Sequence, residues 1–180
     1  ANIKKAWTLT KGVGSVIAII DDSFNAAHED LKDNVIATYD AITKTTKALD
    51  EDFLNTNGFG AHGTAVAGIA AASANETGVI GVAPDAKLIL IAIGADTNTD
   101  SQIIDAFDFA LKNGANVVSC SWGTFNVSSA VNAKIKELYD NNITVVFAAG
   151  NDGYNLDEVH PEDGSVINDE SELPWVIGVG

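Results

Sequence analysis

Methionine is absent from all 180 residues, position 1 included, which points to a processed product or an excised piece of a longer chain. The single cysteine, Cys120, excludes an internal disulfide and leaves the redox compartment open. Its ordinary reading is a small buried residue. No apolar run approaches the roughly 18 residues of a membrane span, and the opening ANIKKAW lacks the apolar segment of a signal peptide. Positive charge is scarce: 25 acids stand against 10 bases, for a formal charge of -15. Such a surface repels phosphate backbones and anionic lipid, so nucleic acid and membrane are poor partners and cations are better ones. Zinc-ligand spacing is missing too, and His28 and His160 read as surface residues.

What is present suits one sizeable core and one domain, since 46% of the chain is hydrophobic. Short runs rich in β-branched residues recur at Val16–Ile20, Lys87–Ile93, Asn116–Cys120, Thr144–Ala148 and Trp175–Val179, each bounded by Gly, Asn, Asp or Pro. They read as strands buried on both faces. Between them, Thr64–Ser73, Asp100–Asn113 and Ser129–Asn141 have helical spacing. In the second, Ile103, Ile104, Phe107, Ala110 and Leu111 share one stripe, Asp100 or Ser101 can cap the start, and Gly114 follows the end. This alternation predicts an α/β fold, a mostly parallel sheet with helices on both faces and right-handed crossovers. Sites then belong at strand carboxyl ends, which singles out Asp21 and Asp22, Ser121 to Gly123, and Gly150 to Asp152. The stretch Asn151–Leu173 is long, acidic and weakly periodic, as surface loops are.

Gly58-x-Gly60-x-x-Gly63 matches a dinucleotide fingerprint literally, but it follows the polar stretch Asp50–Asn57 where the fingerprint requires a strand. Its glycines read better as room for backbone to pass close to His62 at a helix start. A histidine there, alone, is an ordinary capped surface residue. The strings VIAIIDDS, AHGTAVAGIAAA, GVAPDAKL, SCSWG and VVFAAGNDG, in that order, change the weighing, and together they resemble the subtilisin-like serine peptidases from about Val13 to Gly180.

The resemblance implies a three-layer α/β peptidase domain of which residues 1–180 are the N-terminal part. It places the family's acid on Asp21 and its base on His62. An imidazole must be held in one tautomer facing the nucleophile, and its transient positive charge needs a buried carboxylate. Asn151 matches the side-chain donor to the oxyanion. Ser121, Trp122 and Gly123 match the edge that pairs with an extended peptide, and Ala148, Ala149 and Gly150 match one wall of the primary pocket. Taken singly, Asn151 reads as a turn asparagine and the other two groups as ordinary strand ends. The family's nucleophile lies in a Gly-Thr-Ser segment opening a later helix. Neither Gly63-Thr64-Ala65 nor Gly123-Thr124-Phe125 supplies that serine, and Cys120 and Ser121 stand in the wrong places to replace it. The expectation is an incomplete catalytic domain, inactive alone, whose partners are a polypeptide substrate and the remainder of the domain carrying the serine. The alternative is a non-catalytic relative that binds extended peptides.

The resemblance also implies a calcium site, with side chains from Asp30 and Asn75 and carbonyls from Ser73, Thr77 and Val79, because calcium takes six to eight hard oxygens that a loop can supply. One family ligand comes from an N-terminal extension that does not appear here. Read without the family, these residues form a polar loop beside an acid. Asp22 after the catalytic acid, and SCSWG, resemble the kexin and furin branch, where the matching acid faces the P2 side chain. Ser23 stands where that branch has glycine, and Asn126 about where it has an acid for a basic P1 residue. A secreted or extracytoplasmic location is what the family suggests.

Overall fold

The structure is a computed structural model that describes residues 2–46, 61–94, 98–124, 126–151, 153, 155, 156, 158, 159, 164, 165 and 167–180. Six strands, β1 (Val16–Asp21), β2 (Val35–Asp40), β3 (Lys87–Ala92), β4 (Val117–Cys120), β5 (Thr144–Ala148) and β6 (Val176–Val179), form one sheet in the order β2-β3-β1-β4-β5-β6. Every pairing is parallel, so all six carboxyl ends lie along one edge. In register, Ile20 stands beside Cys120, Cys120 beside Phe147, and Phe147 beside Gly178. The helices are α1 (Ile3–Ala6), α2 (Ala61–Ala71), α3 (Asp100–Lys112) and α4 (Ser129–Asp140), with a 3-10 turn at Glu170–Glu172.

Local sequence explains the two long amphipathic helices. Thr99, not Asp100 or Ser101, is the N-cap of α3: its hydroxyl accepts from Gln102 N at 3.3 Å while Gln102 Oε1 accepts from Thr99 N at 2.8 Å. The Thr-x-x-Gln spacing lets each end satisfy a donor of the other, which Asp100 cannot do. Ile103, Ala106, Phe107 and Ala110 then fall on the buried stripe. Ser128 caps α4 by accepting from Val131 N at 3.1 Å, and Val131, Ile135 and Leu138 point inward. Both helices cover one face of the sheet, where Ile20, Ile91, Phe107, Val118, Leu138 and Phe147 form the larger core cluster.

The opposite face is covered by α2, whose Ala67 and Ala71 pack with Ile19, Leu88, Leu90, Phe24 and Leu31. Neighbouring isoleucines Ile19 and Ile20 thus serve different cores, as side chains alternate across a strand. Helix α2 packs chiefly on β1 and β3, and the continuous burial expected of strands covered on both faces is found in those two. β4 and β5 alternate buried and half-exposed positions, and β6 leaves Ile177 and Val179 exposed. Strand β2 has no counterpart in the sequence reading. It is a half-buried edge strand with an irregular register at Val35/Ala37, so its apolar signal is weak.

Candidate active site

The end of β1 is built so that two consecutive carboxylates are fixed by different means. Asp21 closes the strand and is 2% exposed. Its Oδ1 accepts from the Asp22 backbone N at 2.8 Å and lies 2.6 Å from Nδ1 of His62. Its Oδ2 is buried without a hydrogen-bond partner. Asp22 turns its Oδ1 to the backbone N–H groups of Ser23, at 2.5 Å, and Gly63, at 2.9 Å. The second of these belongs to the first turn of α2, whose N–H groups have no partner within the helix, so Asp22 ties β1 to the helix that carries His62. Asp22 Oδ1 is thus an acceptor for the turn that follows β1.

Helix α2 begins at Ala61, three residues earlier than the spacing suggested, which puts His62 inside its first turn. Gly63 is required there: a Cβ would collide with the carbonyl oxygen of Ser23. Further along, Thr64 Oγ1 accepts from Asn25 N at 2.9 Å. The result is an imidazole anchored through Nδ1, with a side chain 58% exposed. Gly58, Gly60 and the stretch Asp50–Asn57 lie outside the described residues, as do Phe125, Asp152 and His160.

Burial pushes the Asp21 carboxyl up, against the downward pull of the His62 hydrogen bond, the Asp22 amide and the imidazole charge. His62 is raised above the ordinary imidazole value, first by its hydrogen bond to Asp21, against desolvation, and further by the charges of Asp21 and Asp22. The pair therefore binds a proton on the imidazole more firmly than free histidine does. Asp21, Asp22 and His62 each offer a ligand atom, all within 4.8 Å of one another.

Other expected residues gather along the same edge. Adjacent strands lie about 4.8 Å apart, so Ser121 beyond β4 and Ala148 at the end of β5 stand roughly one and two strand spacings from Asp21. Trp122 is held inward: its Nε1 donates to Ile20 O at 2.9 Å, and its ring meets Phe147 edge-on at 5.0 Å. Ala148 and Ala149 are half-buried, Gly150 has φ +87° in the left-handed region, and Asn151 is exposed. Cys120 is fully buried, and burial, Glu170 and Asp21 all push its thiol well above the ordinary value. A thiol that stays protonated is a poor nucleophile. His28 is half-buried, not a plain surface residue, and its Nδ1 accepts from Asp30 N at 3.2 Å.

Asp30 is 4% exposed, and the loop from Ser73 to Val79 wraps its carboxylate. Val79 N donates to Oδ2 at 3.1 Å, Asn75 Nδ2 reaches Oδ1 at 3.5 Å, and a Cβ on Gly78 would fall onto the carboxylate. Glu76 and Gly78 have φ of +70° and +55°, turning the loop tightly around it. Ser73 Oγ is buried without a partner, and among the described residues no lysine lies within salt-bridge distance of Asp30. A buried carboxylate with no lysine partner suits a hard divalent cation, although here its two oxygens are met by the N–H groups of Val79 and Asn75, which must turn away before an ion can bind. The sequence reading missed Glu170, which is fully buried and bonded to Thr124; an acid inside a loop-like acidic stretch gives no periodic signal.

The fold is thus an α/β domain with a parallel six-stranded sheet, and a hydrogen-bonded aspartate–histidine pair stands at its carboxyl edge. Residues 12–180 match the model of the subtilase family, and the chain belongs to that family. It is 40% identical over 125 residues to a calcium-dependent protease of a Nostoc strain, covering 68% of this chain and 18% of that one. It is 36% identical over 145 residues to subtilisin DY of Bacillus licheniformis, covering 79% and 49%. The crystal structure of fervidolysin from Fervidobacterium pennivorans, a keratinolytic enzyme related to subtilisin, superposes with a TM-score of 0.72 at 28% identity, covering 82% of this chain and 23% of that one. The chain thus spans about half or less of the length of these relatives. None of the described helices is long and apolar enough to cross a membrane.

Proposed function

We propose that the chain supplies the acid, the base and the oxyanion donor of a serine endopeptidase, and that the attacking serine lies outside residues 1–180. The observation that carries this reading is the 2.6 Å contact between His62 Nδ1 and the buried Oδ1 of Asp21 at the carboxyl edge of the sheet. With Nδ1–H donated to Asp21, the Nε2 lone pair of the exposed ring is free to take the proton of a serine hydroxyl as its oxygen attacks the peptide carbonyl carbon. His62 then gives that proton to the leaving amine, and water hydrolyses the acyl-enzyme. Asn151 donates to the oxygen that becomes negative during attack. The backbone of Ser121–Gly123 pairs with the extended peptide, and Ala148, Ala149 and Gly150 line the primary pocket. Asp22 favours Lys or Arg at P2, while Asn126, uncharged, weakens any demand for a basic P1 residue.

Asp30, Asn75 and the carbonyls of Ser73, Thr77 and Val79 would hold a calcium ion, which would supply positive charge to the buried carboxylate and brace the loop after α2. A relative named as a calcium-dependent protease supports this part of the reading. The test is a peptidase assay of purified 1–180 alone and of a longer chain that carries the serine. The former should show background only, because a base without its nucleophile retains only binding and oxyanion stabilisation. Robust turnover by 1–180 that disappears in Cys120→Ala overturns the assignment of the nucleophile.

A further inference from the structure

We propose that Glu170 is a positioning residue for the peptide-pairing edge Ser121–Gly123, acting through Thr124. The inference rests on the substrate role given to that edge above and adds a residue outside it. Beyond β4 the backbone leaves the sheet, and two anchors hold it. Upstream, the Trp122 indole is bonded to Ile20 O and stacked edge-on against Phe147. Downstream, Thr124 N donates to Glu170 Oε2 at 3.0 Å and Thr124 Oγ1 donates to Glu170 Oε1 at 2.7 Å. Between the anchors, Asp169 lies against Gly123: its Oδ2 sits 2.6 Å from the point a Cβ would occupy. The same turn continues alongside the edge, with Val127 N donating to Asn168 O at 2.8 Å and Asn168 Nδ2 to Val127 O at 3.1 Å.

Glu170 is 0% exposed although Thr124 itself is exposed, so the carboxylate is held under the loop and the loop is tied down to it. Burial pushes the Glu170 carboxyl up, and its bonds to Thr124 and the backbone pull it down. No lysine among the described residues forms an ion pair with it. Each carboxylate oxygen bonds Thr124, which fixes the position of that residue in two directions. An edge that adds a peptide as a further strand must present its N–H and C=O groups at fixed spacing before the peptide arrives, because ordering them on binding subtracts from affinity. The chemistry at Asp21 and His62 is built on β1 and α2, which this anchor does not touch. Loss of Glu170 should therefore raise KM and leave kcat alone.

Two measurements test it. In 1–180, amide hydrogen exchange should accelerate at Ser121–Thr124 in Glu170→Ala and stay near wild type in Glu170→Gln, whose amide accepts from Thr124 N and donates to Thr124 Oγ1. In the serine-bearing chain, hydrolysis of an acetylated tetra-alanine p-nitroanilide should show KM about tenfold higher in Glu170→Ala with kcat within about twofold, restored by Glu170→Gln. Thr124→Val, which keeps the backbone bond and loses the hydroxyl one, should fall between and covers the case of Glu170→Ala failing to fold. A wild-type chain that hydrolyses the peptide while Glu170→Ala and Thr124→Val leave KM unchanged overturns the positioning role. So does a fall in kcat at constant KM. If the wild-type serine-bearing chain hydrolyses no peptide, the endopeptidase reading fails and this inference falls with it, even where exchange shows that Glu170 holds Thr124.

Discussion

The two faces of the sheet are packed by helices of opposite design. Helices α3 and α4 are amphipathic, capped and joined by charge: Lys134 of α4 reaches Asp108 of α3 at 2.6 Å. Their inward stripes close a core of large side chains, and their outward faces are polar. Helix α2 has almost no amphipathic contrast: past His62 and Thr64 in its first turn, every residue is small or apolar. Its buried stripe is alanine and glycine, and its outward stripe, starting at His62, leaves Ala65 and Ile69 exposed, Ile69 at 70%, next to Val82 at 49%, whose N–H donates to the Ile69 carbonyl. An all-round apolar helix is suited to a fully enclosed position, and small residues let neighbours come close. One face of the domain is therefore organised for stability and the other for bringing backbone and an imidazole into register.

That division makes its strongest prediction at His62. In the serine-bearing enzyme, His62→Ala should lower kcat on the order of 10⁶-fold, a figure established for subtilisin itself and therefore borrowed. Thermal stability of 1–180 should fall far less than activity, because the side chain is 58% exposed and the main loss is a partner for the buried Asp21 carboxylate. A large drop in melting temperature with small loss of activity inverts the comparison. On the other face the effects exchange places. Phe107→Ala empties a fully buried site between α3 and β5 and should cost about 3–5 kcal/mol of stability. The titration of His62, followed by NMR at a temperature where the variant is folded, should be unchanged.

Legibility in the sequence follows the same divide. Strands β1 and β3 stood out because both of their faces are buried, which forces continuous runs such as IAII and LILI; α3 and α4 stood out because one face is wet. Helix α2 was placed three residues late, since without amphipathic contrast only its small residues marked it. Edge strand β2 left no comparable mark, because half-exposed Thr38 and Tyr39 break the apolar run. Asp21, His62 and the loop around Asp30 were readable through ordered family strings, not through periodicity. Glu170 was not, because its importance arises from a contact with Thr124 across 46 positions.

The Asp30 loop belongs to the α2 face yet should behave as a stability element when a cation is present. Calcium at a hundredfold excess over its Kd stabilises the folded state by about 2.7 kcal/mol, and Asp30→Ala should remove that increment. The variant is expected to start lower, because Val79 N loses its acceptor. The reading is thus the difference between calcium and chelator within each protein. Identical melting curves for wild type in the two conditions would remove the loop from the list of cation sites.

The smallest predicted effect separates charge from hydrogen bonding within the site itself. Asp22 raises the proton affinity of His62 by charge alone, behind the hydrogen bond and charge of Asp21. It also holds Ser23 N and Gly63 N through Oδ1. Asp22→Asn keeps an oxygen for both amides and removes only the charge. A raised histidine pKa stabilises the fold fully below the unfolded value of about 6.5, and that contribution disappears as pH rises through the folded value. The base is needed neutral, so a raised pKa moves the acid limb of activity to higher pH. Removing the Asp22 charge should therefore lower the His62 titration midpoint in 1–180, shift the acid limb of the serine-bearing enzyme downward, and trim stability on the acid side alone. Asp21→Asn, which removes a hydrogen-bonded charge, should shift the midpoint further. Because His62 is exposed, the Asp22 effect should shrink as salt is raised. An NMR titration of the His62 ring at low and high salt decides it: a midpoint that stays put or moves up in Asp22→Asn means that the Asp22 charge does not act on His62.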